Sequence, residues 1–122
     1  MQVRNRRGTQ MQQINRWWAR TRQYTSLSHR LTQGHAKDLM RIQDFDACIY
    51  SLNAQFQAIE AIPYPESARH IRQALLAFIM NTMTATQHAR LQNDDDRNVI
   101  FDIAMVDKNM LELYLGEYGL AI

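Results

Sequence analysis

The sequence predicts an all-α protein: a helical bundle of about four helices with a central antiparallel hairpin and a basic N-terminal arm or helix. Three observations carry that prediction. Ile42, Phe45, Ile49, Leu52, Phe56 and Ile59 recur at alternating steps of three and four, which lines one face of a helix at 3.6 residues per turn. Only two prolines and four glycines interrupt 122 residues, against twelve glutamines and seven methionines, a balance that favours helices over a turn-rich sheet. The prolines stand together in Ile62-Pro63-Tyr64-Pro65, between two long apolar patterns, and so mark an elbow between antiparallel neighbours.

Taken in order, residues 1–8 have little to bury and read as a flexible basic arm. Thr9 with Gln12 forms a capping-box pattern, so the first helix is expected over about residues 10–25. Met11, Ile14, Trp17, Trp18, Thr21 and Tyr24 gather on one side of it. Arg16 and Arg20 fall on the other, one turn apart, with Arg22 at the edge. The Thr25–Ser28 run breaks the pattern, and a second helix is expected to begin between Ser28 and His35 and to continue to about Ile62. Pro65 suits the first turn of a third helix, about 66–91, with Glu66 at its positive end. Thr82, Thr84, Ala85 and Thr86 are small enough there for close helix approach. Asn93 and Asp94–Asp96 read as an N-cap and first-turn acids, since the run lacks the alternating ligands and glycine of a calcium loop. The fourth helix, about 96–116, is apolar on most of its sides, and so is expected either to sit centrally or to meet a second subunit. Leu120–Ile122 adds an apolar tail, a further reason to expect a chain that is not a monomer. Residues 1–30 thus form a basic arm and amphipathic helix, and residues 31–122 the helical-bundle body.

Enzyme chemistry is poorly represented. No glycine-rich phosphate loop, nucleophile elbow, HExxH or CxxC occurs. A di-iron bundle needs Glu-x-x-His on two helices, and no glutamate here precedes a histidine by three. Glu66 and His70 share a face as a surface pair, and His35 with Asp38 reads as a capping arrangement. The single cysteine, Cys48, reads as a small hydrophobe within an apolar helix, in a reducing setting. The chain is accordingly expected to be no enzyme, with no catalytic residue, no metal, no cofactor and no small-molecule substrate. No apolar run nears the roughly 20 residues of a membrane span, and the N-terminal arginines are followed by no signal-like apolar segment.

The informative feature is charge. Residues 1–37 hold eight basic side chains and no acid, whereas residues 38–122 hold six basic and twelve acidic ones. A solvated face normally mixes signs, as the second part does, so an acid-free stretch points to a polyanionic partner. Nearly all of the basic set is arginine, whose planar fork suits phosphate. Arg4, Arg6, Arg7, Arg16, Trp17, Trp18, Arg20, Arg22 and Arg30 are the candidate nucleic-acid-binding residues. The two tryptophans admit three roles: buried helix anchors, stacking or cation–π partners of bases, or a belt on a membrane-lying helix. Together these features favour a non-enzymatic nucleic-acid-binding structural or assembly protein, of coat, packaging or nucleoprotein-subunit type. The basic arm would contact DNA or RNA backbone without reading sequence, while the acidic body forms a homo-oligomer or joins a related helical protein. The alternative is a protein–protein adaptor or oligomerising bundle whose basic arm docks on an acidic partner or another copy. A membrane is the least favoured partner. The expected location is the cytoplasm or a nucleoprotein particle.

Overall fold

A computed structural model describes residues 2–122, with side chains from Gly8 onward. The described chain is all-helical and contains five α-helices: α1 (Gln2–Thr21), α2 (Ser26–Leu31), α3 (Phe45–Ala61), α4 (Arg69–Arg90) and α5 (Asp94–Gly116). Short 3-10 turns cover Arg22–Thr25, Ala36–Arg41 and Glu66–Ala68. No described helix is long and apolar enough to cross a membrane.

Two boundaries differ from the sequence reading. Helix α1 already runs from Gln2, so Thr9 and Gln12 fall inside it and residues 2–8 are not a separate arm. Arginine and glutamine are good helix formers, and Gly8 alone is too small a penalty to stop propagation. The long second helix is instead two helices. Thr32 ends α2, and Ile42 is extended with ψ near 125°. Asp44 then caps α3 by accepting from the Ala47 N–H at 3.0 Å. Ile42 thus belongs to a linker, although it still packs on apolar neighbours. As expected from the sequence, His35 and Asp38 serve as a cap: the Asp38 carboxylate accepts from the His35 N–H at 2.8 Å, which holds its carboxyl below the usual range.

The prolines make the elbow. Ile62 and Pro65 are both extended, Pro65 precedes the 3-10 turn rather than opening α4, and Arg72 locks the corner. Its guanidinium lies 4.4 Å from the centre of the Tyr64 ring while its Nη2 donates to Glu60 O.

The dominant pair is α4 with α5, and α3 lies second against α4. The hairpin of α3 and α4 exists, but it is not the centre of the molecule. Of the six stripe residues on which the sequence puts most weight, only Leu52 and Ile59 are fully buried; the other four are half-buried. Helix α4 buries residues from Ile71 to Ala89 along its length. Small side chains are buried along much of its far end. Thr82, Ala85, Thr86 and Ala89 are buried, and both threonine hydroxyls donate to carbonyls four residues back, leaving no unmatched donor.

The α4–α5 link is tight. Asn93 N–H donates to His88 O and Gln92 N–H to Ala89 O, the paired bonds of a Schellman turn, with Gln92 at φ 57°. The end of α5 repeats the device with Gly119 at φ 69° and Leu120 N–H donating to Leu115 O. That turn folds the tail back on the body. Leu120 and Ile122 pack on the main core beside Ile14, Trp17 and Trp18 of α1. The tail is therefore covered by its own chain, and gives no argument for self-association. A second, smaller core gathers Leu39, Ala85, Ala89 and Phe101.

Candidate nucleic-acid interface

Helix α1 separates its two faces cleanly where its side chains are described. Ile14, Trp17, Trp18 and Thr21 are buried at spacings of three and four, whereas Arg16 and Arg20 are exposed on the opposite side. Met11, expected on the inner side, is 39% exposed because the core ends short of it. The inner face is anchored chemically as well as by packing. Trp18 Nε1 donates to Ala121 O at 3.0 Å, and the Thr21 hydroxyl donates to Trp17 O at 2.7 Å. Arg22, just past the helix, spends its Nη2 on Ile122 O at 3.2 Å.

Arg16 and Arg20 have no such partner: among the described residues neither guanidinium makes a hydrogen bond or ion pair. The reason is in the sequence, which supplies no carboxylate before Asp38. The four side-chain ion pairs of the described residues lie elsewhere, between Arg41 and Asp38, Arg69 and Glu66, Arg90 and Asp46, and Arg97 and Asp94. The fold thus presents two unneutralised arginines one turn apart on a helix whose opposite face is fixed in the core.

The remaining candidates divide. The side chains of Arg4, Arg6 and Arg7 lie outside the described residues. Arg30 is exposed, but on α2, where it lines an open cleft of about 380 Å³ with Leu27, Asp44 and Cys48. It therefore sits with the α2–α3 surface. Trp17 and Trp18 are corrected outright: each is 3% exposed, with ring centres 6.0 Å apart in the core. Neither offers a face to a base or a lipid, so they anchor α1 rather than contact a ligand. Cys48 is half-buried, and burial pushes its thiol up, with Arg30 opposing and Asp44 adding to the shift. It stays protonated and a poor nucleophile.

Other polar features have structural roles that the sequence shows only in part. Glu66 pairs with Arg69 rather than His70, and His70 meets the Tyr114 ring edge-on at 4.8 Å. Asn93 precedes α5 and all three aspartates fall in its first turn, as the sequence implies. Asp94 takes a further part by accepting from buried Arg97 at 3.0 Å. Sequence reasoning misses Lys108 altogether. Only 6% exposed, it donates from Nζ to Thr32 Oγ1 at 3.2 Å and ties α5 to the end of α2. Burial lowers its pKa, against the pull of Glu112, and burial together with Lys108 lowers that of His29. The available signal was periodicity: Arg97, Phe101, Ala104, Lys108, Leu111 and Leu115 form an inner stripe with two cations in it.

Among the described residues no group of three or more His, Cys, Asp or Glu side chains is placed to hold a metal ion. The outer face of α1 carries positive charge that no described carboxylate neutralises. Compared with protein-family models, with curated proteins and with solved structures, the chain finds no match.

Proposed function

We propose that the chain is a non-enzymatic assembly protein that holds nucleic acid by its phosphate backbone, through the outer face of α1, without reading sequence. The observation that carries this reading is the pair Arg16 and Arg20, exposed, unpaired and borne on a helix pinned by two buried indoles. Fixed, uncompensated charge favours a polyanion, because each phosphate neutralised releases a condensed counterion. The pinned helix also limits the ordering entropy lost on binding. Stacking plays no part, since both indoles are in the core. Arg4, Arg6 and Arg7 add sequence-level charge to the same end of the chain.

The adaptor reading has an observation of its own. Helix α5 carries Asp94, Asp95, Asp96, Asp102, Asp107 and Glu112, while its two cations are buried. A basic helix of another copy would find complementary charge there. Purification without nuclease separates the two readings. Nucleic acid that co-purifies and is released by nuclease supports the phosphate reading; self-association that nuclease leaves unchanged, with no nucleic acid bound, supports the adaptor.

A further inference from the structure

Helix α5 has two apolar stripes, and only one of them is used by the fold. The inner stripe faces the core. On the opposite side Val99, Ile103, Val106, Met110 and Leu113 follow at steps of four, three, four and three, between 38% and 61% exposed. That spacing repeats every 3.5 residues, the seam of a helix that packs along another helix. Five large apolar side chains in one row form a contiguous patch, unlike the scattered hydrophobes of an ordinary surface.

Charge around the stripe says what covers it. Asp95, Asp96 and Asp102 are exposed beside it, and Asp107, half-buried, accepts from Asn81 Nδ2 at 2.7 Å. The helix contributes no cation to that side, because Arg97 and Lys108 are each 6% exposed on the inner face. An anionic lipid surface would be repelled by such a rim. Self-pairing is open to the stripe in principle, because two copies would bring together rows of the same three-and-four spacing. An antiparallel pair centred on Val106, however, sets Asp107 beside its own copy and brings no positive charge to either flank. A helix with the same apolar spacing and Lys or Arg at its flanking positions keeps the packing and pairs the carboxylates.

We propose that the outer face of α5 is a docking site for a basic amphipathic helix of a partner protein, separate from the arginine face of α1. The probe is a synthetic peptide of about three heptads, with Ile and Leu in the seam and Lys at every flanking position. Lysine flanks repel one another, so the peptide is unfolded alone and gains helicity when an acid-rimmed seam pairs with it. The expected result is saturable binding to the full chain with a gain in circular dichroism at 222 nm. The matched peptide with Glu flanks should bind at least about tenfold more weakly. The double variant Ile103→Ser with Val106→Ser should lose about tenfold or more while keeping its own helical spectrum, because both side chains are exposed. Binding that survives this variant, or that does not distinguish the two peptides, overturns the proposal. So does absence of binding. A dimer in sedimentation that the double variant dissociates, with no peptide bound, makes a second copy the occupant and equally overturns it.

Discussion

Replacing each tryptophan in turn by phenylalanine tests whether the indoles act as core anchors, and with what polar consequence. Both rings are 3% exposed in one core, so the smaller ring removes a comparable apolar volume at either position. The polar contributions differ in sign. Trp18 Nε1 donates to Ala121 O at 3.0 Å, and losing such a bond costs about 0.5–1.5 kcal/mol. Trp17 Nε1 is buried and reaches no acceptor among the described residues. A donor left so costs about 1–3 kcal/mol, which Trp17→Phe removes. Trp18→Phe is therefore expected to be less stable than Trp17→Phe by about 1.5–4.5 kcal/mol. In a domain of this size each kcal/mol moves Tm by about 3–5 °C, so the two melting points should be readily resolved. Urea titration followed at 222 nm gives the free energies, with equal m-values required for the comparison. Equal stability of the two variants within about 0.5 kcal/mol would refute the assigned polar roles of the two indoles.

Other expectations follow from single features. Gln92 holds a left-handed conformation at φ 57° in the α4–α5 turn, so Gln92→Gly should stabilise the protein by about 1 kcal/mol; a loss of stability in chemical denaturation would show that the side chain earns its place. His29 has its pKa lowered from 6.5, first by burial and then by Lys108. The unfolded chain therefore binds the proton more readily, and stability should fall as pH drops through 6.5 toward the folded value, a limb that His29→Gln should flatten. That limb begins at 6.5, well above the 3.8 below which Asp38 starts to lose its own stabilising contribution. Leu75→Ala, at a fully buried α4 position, should cost about 2–5 kcal/mol, and a change in denaturation midpoint near zero would contradict the described core.

The fold class and the elbow were legible because they rest on local chemistry: helical periodicity, and prolines that restrict their neighbours. The capping role of Asp38 and the first-turn placement of Asp94–Asp96 were legible for the same reason, whereas Asn93 makes no side-chain cap and donates instead to the Asp96 carboxylate. What was misjudged depends on long-range contact. The stripe from Ile42 to Ile59 is the most regular in the chain, yet regularity does not reveal how many helices press on it, and four of its members are half-buried. Helix α5 reads as apolar on most of its sides, whereas its outer row is exposed and its inner row hides Arg97 and Lys108. A projection weighted for apolar residues discards those two cations, though their places among Phe101, Ala104 and Leu111 are visible in the spacing. Of the candidate interface, Arg16 and Arg20 were separable from the apolar side of α1 by sequence. The burial of Trp17 and Trp18 was not, because indoles beside arginines satisfy both a core and a binding surface. Packing in one core with residues of α3, α4 and α5 decides between them, and for Trp18 the folded-back tail adds Ala121 O as an acceptor.

The central claim is that α1 binds nucleic acid through arginine–phosphate contacts, and salt dependence measures this most directly. The logarithm of the binding constant for a fixed duplex should fall linearly with log salt at about −0.9 per phosphate neutralised, or about −0.7 for a single strand. Arg16→Ala with Arg20→Ala should flatten that slope by about 1.8 on duplex, to the same extent on duplexes of unrelated sequence, because backbone contacts carry no base information. Both residues are exposed and unpaired, so the melting point should not move. A slope that the double variant leaves unchanged, or binding that is indifferent to salt, would contradict the claim.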